Sequence, residues 1–395
     1  MTKTENLLLN LLARGLFCSE RSFTPESADW AALFQEAAHH TVIPLVYDSL
    51  TPAERACIPA ELSPQWQRTV ITTLWQNEQI AAEQRRILSL FPFPCVILKG
   101  SSSAMNYPKP ELRCSGDIDL LLSPEHIEAA QTILSAQGYA LSNPENDGEG
   151  HLAMHRGPYI VELHRAPSGI PKSHTGNEIR AYFRNVERSA CLRDALPILP
   201  PDRRAVLLLV HKLDHVLTSG LGLRQLCDWA VFVSRELSPA LWTELTPTLK
   251  RFGLYRFGLI VTRTCVDYLG LPLDACPWCT DAPAELSAAL MEDLLRSGNF
   301  GRKENRYGQR LFTDAQSATP SASFFRTSLQ VCREKWPVCQ KYPILLPAAP
   351  SVLLWRYFCQ RRQGKRPAFH PAGVYRGAAV RQNLFKNLQG FIPEE

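Results

Sequence analysis

The chain has 395 residues and a mass of 44.4 kDa; 45% of its residues are hydrophobic and 21% are charged. Such a composition can form a large buried core, so it excludes disordered, collagen-like and low-complexity proteins and predicts two or three folded units. The net charge of +5 is small, and its excess lies in residues 351–395, where eight lysines and arginines oppose two glutamates.

No segment has the pattern of a signal peptide or of a membrane span. The apolar stretch Leu7–Phe17 is interrupted by Asn10 and Arg14, and no small-residue cleavage site follows it. A later apolar stretch, Tyr342–Trp355, is shorter than the roughly 20 residues that a span requires, and it contains three prolines. The 12 cysteines are scattered along the chain, which indicates reduced thiols and a cytoplasmic protein.

The first 90 residues predict an N-terminal helical region, 1–90. Apolar residues recur at helical spacing in Leu8, Leu11 and Leu12 and again along residues 65–87.

A small α/β core is predicted next, over residues 91–197. The continuous apolar run Cys95–Leu98 predicts a buried strand, and a Lys-Gly-Ser turn ends it. A second strand is predicted at 117–122, and two more, near 151–155 and 159–165, are separated by a Gly-Pro turn typical of a hairpin.

The chain then returns to helix. The clearest helical patterns are 206–217 and 223–233, within a predicted helical domain at 198–280. Residues 281–323 are polar and irregular in pattern, so 281–395 is predicted to be an irregular and helical C-terminal region with a basic tail. Together these elements predict an α+β protein, in which a small mixed β-sheet core is flanked by N-terminal and C-terminal helical regions.

Three carboxylates are predicted to meet on the sheet. Because side chains alternate along a strand, Asp117 and Asp119 project to one side, and Glu162 and His164 share one face of a later strand. If those strands are neighbours, Glu162 joins the two aspartates. Like charges this close need a cation between them, and Mg²⁺ or Mn²⁺ takes carboxylate oxygens together with phosphate oxygens. The pattern predicts a metal site for phosphoryl or nucleotidyl transfer, with all three acids as catalytic metal ligands.

Residues next to these strands are candidates for nucleotide binding. Gly100 lets the backbone approach a phosphate closely, and the hydroxyl of Ser101 can donate to a phosphate oxygen. Lys99 and Arg113 can balance the charge of a triphosphate. Each of these residue types is common on its own, and their order along the chain makes the prediction specific.

The residues that carry these features resemble a known family. Val96–Gly100, Arg113, Asp117–Leu122 and Val161–His164 resemble the Leu-Lys-Gly … Arg … Asp-Ile-Asp-Leu-Leu signature of a bacterial uncharacterised nucleotidyltransferase family, within the polymerase-beta-like superfamily. The resemblance covers about residues 95–235. It implies a small mixed sheet with flanking helices, three carboxylates, Mg²⁺ and a nucleoside triphosphate donor. On this chain it implies that the three acids named above bind the metal and that the Gly-Ser turn binds the phosphates.

Polar residues of the helical domain are candidates for contacts with the acceptor or with the metal ligands. His211 and His215 are one turn apart on one helix face, and Arg224 and Asp228 have the same spacing on the next helix. Hydrogen bonding between helices explains the first pair equally well, and a helix salt bridge explains the second. His164 is either such a contact or an ordinary histidine at the end of a strand.

The sequence thus predicts a cytoplasmic, Mg²⁺-dependent nucleotidyltransferase. It would transfer a nucleoside monophosphate from a triphosphate, with ATP as the first candidate, to an acceptor hydroxyl on a small molecule or protein, and release pyrophosphate. An alternative of another class is a catalytically silent accessory or sensor protein that binds nucleotide. A nucleic acid bound by the basic tail is a less favoured acceptor. The sequence leaves open the acceptor, the nucleotide, the oligomeric state and the role of Cys276 and Cys279.

Overall fold

The protein is a mixed β-sheet surrounded by α-helices, which confirms the predicted α+β class. The computed structural model describes residues 1–19, 23–142, 151–301, 303 and 381–394, together with short stretches between 325 and 362. Most of the basic tail therefore lies outside the described residues. No helix in the described part of the chain is both long enough and apolar enough to cross a bilayer.

The helices and strands have the following bounds. The α-helices are α1 (Lys3–Phe17), α2 (Trp30–His39), α3 (Ile43–Ser49), α4 (Pro52–Ala56), α5 (Ser63–Leu90), α6 (Ser101–Ala104), α7 (Ile127–Ala136), α8 (His174–Tyr182), α9 (Pro201–Leu217), α10 (Leu223–Glu236), α11 (Pro239–Arg251), α12 (Tyr255–Leu269) and α13 (Ala284–Ser297), with further helical segments at 325–329, Pro337–Lys341 and 381–388. The strands are β1 (Cys95–Ile97), β2 (Ile118–Leu122), β3 (Ala140–Leu141), β4 (His151–Arg156), β5 (Tyr159–His164), β6 (Cys191–Arg193) and β7 (Leu196–Ile198).

The first helix begins at a capping box, and its leucine side chains pack against the neighbouring helices. Thr2 caps α1: its side chain accepts from the backbone N–H of Glu5, and the Glu5 carboxylate accepts from the backbone N–H of Thr2. Leu8, Leu11 and Leu12 are fully buried where α1 packs against α2, α3 and α12. The predicted helical character of residues 1–90 is confirmed.

Helix α5 joins the N-terminal helices to the sheet. It is 28 residues long and mostly polar along its surface. Trp66 near its start is buried in the core of the helical regions, and Ile87 near its end is buried beneath the sheet. The helix therefore contributes to both cores, and its middle contacts the loop that leads into β2.

The sheet has seven strands in the order β3-β4-β5-β2-β1-β7-β6. Strand β2 pairs in parallel with β5 and antiparallel with β1, so the two predicted acidic strands are neighbours. The four predicted strands and the hairpin between β4 and β5 are confirmed. Strands β3, β6 and β7 are additions that no pattern in the sequence indicated.

The two faces of the sheet are buried against different cores. Ile97, Leu120 and Leu163 point to the face that packs with Ile127 and Leu134 of α7. The opposite face carries Val96 and Leu121 into the large core that also contains the apolar residues of α9 and α10. Because Asp119 has the same parity as Leu121, the acidic side chains lie on the face that is turned toward the helical domain.

The C-terminal region begins with a long helix. Within residues 281–323, whose pattern is polar and irregular, Ala284–Ser297 forms α13, which packs on α12 and buries Leu286, Leu290 and Leu294. These leucines are four residues apart and form one helical stripe, which the polar residues between them obscured. Residues 304–323 of that segment lie outside the described residues, and the division of the chain into four regions stays a prediction.

Candidate active site

The three predicted carboxylates lie together on the sheet face that is turned toward the helical domain. Asp119 and Glu162 are register partners on the parallel strands β2 and β5, and Asp117 immediately precedes β2. One carboxylate oxygen from each of the three residues lies within 4.8 Å of the others. Asp119 is buried, and Asp117 and Glu162 are partly exposed, so the group is closed on one side and accessible on the other.

Lys99 balances part of this negative charge. It follows β1, and its Nζ lies 3.0 Å from Oδ1 of Asp119, with 18% of the lysine side chain exposed. Burial alone would lower the pKa of Lys99, but the carboxylates of Asp119 and Asp117 outweigh burial and raise it. Lys99 is therefore a charged ammonium group held in the carboxylate cluster, as its predicted role near a triphosphate requires.

The two aspartates differ in their electrostatic surroundings. Burial is the largest influence on Asp117, and together with the charge of Asp119 it raises the Asp117 pKa. Burial also acts to raise the pKa of Asp119, but Lys99 and His164 outweigh it and hold that pKa well below its usual range. The cluster thus contains one firmly ionised carboxylate and one whose ionisation a bound cation would favour.

The predicted phosphate turn lies beside the first aspartate. Gly100 has φ of +67°, and a Cβ at this position would lie 3.8 Å from the carbonyl oxygen of Asp117. The positive φ favours glycine here. The backbone N–H of Leu98 donates to the carbonyl of Asp119 at 3.1 Å, which ties β1 to β2 at this point. The hydroxyl of Ser101 donates to Oε1 of Gln84 on α5, at 3.0 Å.

His164 contacts two of the acids. Its Nε2 lies 2.9 Å from Oδ1 of Asp119 and 3.2 Å from Oε2 of Glu162, and its side chain is 1% exposed. Burial lowers the pKa of His164, but the hydrogen bonds with Asp119 and Glu162 outweigh burial and raise it. A second histidine, His151, lies opposite His164 on β4 and was not predicted to be near the site.

The loop that leads into β2 is held by a side chain that the sequence did not indicate. Asn77 on α5 donates through Nδ2 to the carbonyls of Glu111 and Arg113, at 2.7 and 2.9 Å. Its Oδ1 accepts from the backbone N–H of Ser115 at 3.0 Å. A single asparagine in a long polar helix carries no motif, so this positioning role is visible only in the structure.

Arg113 is buried away from solvent in an ion pair with the helical domain. Its Nε and Nη2 donate to the two carboxylate oxygens of Asp228, at 2.9 and 2.8 Å, and the hydroxyl of Tyr107 donates to the same carboxylate at 2.8 Å. Within the described structure Asp228 pairs with Arg113 and not with Arg224, which donates to the carbonyl of Cys114 at 2.9 Å. Arg113, Arg224 and Asp228 therefore hold the loop to the helical domain, and their predicted contacts with the triphosphate and the acceptor stay predictions.

The two predicted histidines of α9 are in mutual contact near Lys99. The Nε2 atoms of His211 and His215 are 3.1 Å apart, and Nδ1 of His215 lies 2.7 Å from the hydroxyl of Ser219. Burial, and after it the charge of Lys99, lowers the pKa of His211 well below its usual value and that of His215 to about 3. Both rings are therefore neutral at pH 7, and one donates its Nε2–H to the other.

The donor set suits a divalent cation. Asp117, Asp119 and Glu162 offer carboxylate oxygens, which Mg²⁺ and Mn²⁺ prefer over nitrogen or sulfur. Such an ion would also oppose the burial and the charge of Asp119 that together raise the Asp117 pKa.

Comparison with known proteins agrees with this geometry. Residues 26–270, more than half of the chain, match a protein family described as uncharacterised nucleotidyltransferase. The matched region includes the N-terminal helices from α2 onward, the whole sheet, and the helical domain through α12. No curated protein and no solved structure matches the chain.

Proposed function

This chain belongs to the uncharacterised nucleotidyltransferase family, and on that basis we propose that it transfers a nucleoside monophosphate from a nucleoside triphosphate to an acceptor hydroxyl in a Mg²⁺-dependent reaction. ATP is the first donor to test. The acceptor oxygen would form a bond to the α-phosphorus while the bond from that phosphorus to pyrophosphate breaks. The observation that carries the proposal is the convergence of Asp117, Asp119 and Glu162 on one face of the sheet, with Lys99 among them.

Each group of the cluster has a role that its surroundings support. Asp117, Asp119 and Glu162 would hold Mg²⁺, or Mn²⁺ in its place; when bound, the ion withdraws charge from the phosphate oxygens and acidifies the acceptor hydroxyl. Asp119 is fixed by Lys99 and His164, so it stays ionised and oriented before substrate binds. Glu162 is more exposed than Asp119, with 23% of its side chain accessible against 1%, and would receive the acceptor proton.

The phosphates would lie along the turn that follows β1. Gly100 permits close approach of the backbone beside Asp117, and Ser101 offers a hydroxyl within the same turn. The ammonium group of Lys99 can exchange its contact with Asp119 for one with a phosphate oxygen, because Asp119 would then face a cation instead.

The acceptor would approach from the helical domain. His211 and His215 are neutral and lie near Lys99, so they can donate or accept hydrogen bonds without adding charge to the site. Neutral hydrogen-bonding groups suit a hydroxyl-bearing acceptor.

Release of pyrophosphate separates this proposal from the alternative of a silent nucleotide-binding protein. The protein would be incubated with each nucleoside triphosphate, Mg²⁺ and cell extract as the source of acceptor. We expect pyrophosphate release by the wild type and a loss of at least about a hundredfold in Asp117→Asn, because a misplaced metal and donor lose most of the positioning advantage.

The matched control is Glu128→Gln, an exposed acid on α7 beneath the opposite face of the sheet, which should keep wild-type activity. Nucleotide binding without pyrophosphate release from any triphosphate would favour the accessory or sensor function. Equal activity in wild type and Asp117→Asn would place the chemistry elsewhere.

A further inference from the structure

We propose that His151, Glu162 and His164 form a second cation position, which binds a divalent transition metal such as Zn²⁺ and shares Glu162 with the carboxylate site. The inference goes beyond the proposed transfer reaction, because metal can bind here whether or not turnover occurs. It rests on the register of two strands, the distances between donor atoms and the chemistry of the donor set.

The strand register brings the three side chains to one face. His151 on β4 lies directly opposite His164 on the antiparallel strand β5, and Glu162 is two residues from His164 on the same face. The residue opposite Glu162 on β4 is Ala153, whose small side chain leaves the space beside the carboxylate open. The two imidazole rings are tilted against each other, with their centroids 5.1 Å apart.

The donor atoms are close to metal-binding separation. Nε2 of His164 lies 3.2 Å from one oxygen of Glu162, and Nε2 of His151 lies 3.9 Å from the other oxygen. One donor atom from each of the three residues lies within 4.8 Å of the others. Ligands bound to zinc at about 2.0–2.1 Å in a tetrahedral arrangement are about 3.3 Å apart, so a small inward movement of His151 would complete the position.

The donor set differs in kind from that of the neighbouring carboxylate site. Two imidazoles and one carboxylate favour zinc and related transition metals, whereas Asp117, Asp119 and Glu162 offer only oxygen and suit Mg²⁺. Catalytic zinc sites have the same number of ligands, three from the protein, and keep one coordination position open. Glu162 has two oxygens, so it can serve both positions.

Each ring also has an unused nitrogen. Among the described residues, the buried Nδ1 atoms of His151 and His164 have no hydrogen-bond partner. His164 is almost fully buried, and its other nitrogen reaches Asp119 and Glu162 together.

Titration with Co²⁺ alone, in the absence of nucleotide, tests the proposal. Cobalt takes the place of zinc, and its visible bands are intense at a four-coordinate site and weak at a six-coordinate one. We expect the wild type to bind two Co²⁺ ions, one of them with intense visible bands that Zn²⁺ abolishes. His151→Ala and the more conservative His151→Gln should lose these bands and weaken that binding step more than about tenfold.

Three further variants locate the site. His155→Ala removes an exposed histidine from the same strand, four residues along, and should keep both binding steps. Asp117→Asn should lose the Co²⁺ ion at the carboxylate site, which absorbs only weakly, and keep the intense bands of the other ion. Glu162→Gln should weaken the binding of both ions. Circular dichroism establishes that each variant is folded. Unchanged bands in both His151 variants, or no Co²⁺ binding by the wild type, would overturn the proposal; a failure of pyrophosphate release would leave it standing.

Discussion

Side chains of the protein itself partly neutralise the carboxylate cluster. Lys99 contacts Asp119, and His164 contacts both Asp119 and Glu162. The ammonium group of Lys99 and the hydrogen bonds of His164 allow three acids to lie together on a sheet face that is largely covered by helices. The acids are therefore positioned before a metal or a nucleotide arrives, and little reorganisation is needed when substrate binds.

The buried histidines of α9 predict that the protein loses stability on mild acidification. The pKa of His215 is lowered to about 3 in the folded protein by burial and by nearby positive charges. The unfolded chain takes up a proton below a pH of about 6.5 and the folded protein does not, so the stabilising effect of the neutral ring is lost as the pH falls below that value. Between pH 7 and 5.5 this residue should account for about 1 kcal/mol of lost unfolding free energy.

Urea denaturation at the two pH values measures this effect. His215→Gln should remove about 1 kcal/mol of the pH dependence, whereas His174→Gln, at a position that is 91% exposed, should leave it unchanged. An unaltered pH dependence in His215→Gln would show that His215 has the same pKa in the folded and unfolded protein, which would contradict the prediction.

At the residue scale the sequence predicted where the three acids lie, but it did not predict the hydrogen-bond and ion-pair partners of the residues around them. Alternation along two strands is enough to place Asp117, Asp119 and Glu162 on one face once the strands are neighbours. A guanidinium group can pair with any carboxylate or phosphate, so the sequence does not show which partner it has. Arg113 was predicted to balance the charge of a triphosphate, and its pairing with Asp228 was not foreseen. Asn77 was missed because three hydrogen bonds to a distant loop leave no local pattern.

At the scale of elements, α5 determines how the chain enters β2. Asn77 holds the carbonyls of Glu111 and Arg113 and the N–H of Ser115, just before Asp117. Asn77→Ala should lower pyrophosphate release at least about tenfold, because a shift of about 1 Å at the aspartates is sufficient for such a loss. The fall should be in kcat with little change in KM, since Asn77 positions the metal ligands and not the phosphates.

Two variants separate positioning from general stability. Asn77→Asp keeps the acceptor for Ser115 and loses the two donated bonds, so its activity should be intermediate. Glu78→Ala alters the exposed next residue of the same helix and should behave like the wild type. If Asn77→Ala lowers the melting temperature but leaves kcat unchanged, the asparagine has only a structural role.

The strands that the sequence predicted are the longer or more buried ones, and the strands that it missed are short and mostly exposed. Strands β1, β2 and β5 are apolar enough to be recognised, whereas β3 and β6 are two and three residues long and largely exposed. Short exposed strands have no alternation to detect, and their pairing is decided by neighbours that are distant in sequence. Helix α13 was missed because charged and small residues separate its buried leucines.

At the scale of the molecule, a buried ion pair joins the sheet to the helical domain. Arg113 and Asp228 are each about 5% exposed, and Tyr107 donates to the same carboxylate. Asp228→Ala would leave the guanidinium buried and unpaired, and should lower the unfolding free energy by about 3–5 kcal/mol in urea denaturation.

Removal of both charges provides the control for this pair. Arg113→Met combined with Asp228→Leu should be much more stable than Asp228→Ala, because no unpaired charge then remains buried. If the double variant is as unstable as the single one, the loss does not arise from the unpaired Arg113.

The central claim is that nucleotidyl transfer takes place at Asp117, Asp119 and Glu162, and one measurement tests it most directly. Each nucleoside triphosphate, labelled at the α-phosphate, would be incubated with Mg²⁺ or Mn²⁺, cell extract, and either the wild type or the double variant Asp117→Ala/Asp119→Ala. We predict that the wild type moves the label onto an acceptor and that the double variant does not. Label transfer that persists in the double variant, or nucleotide binding without any transfer by the wild type, would contradict the claim.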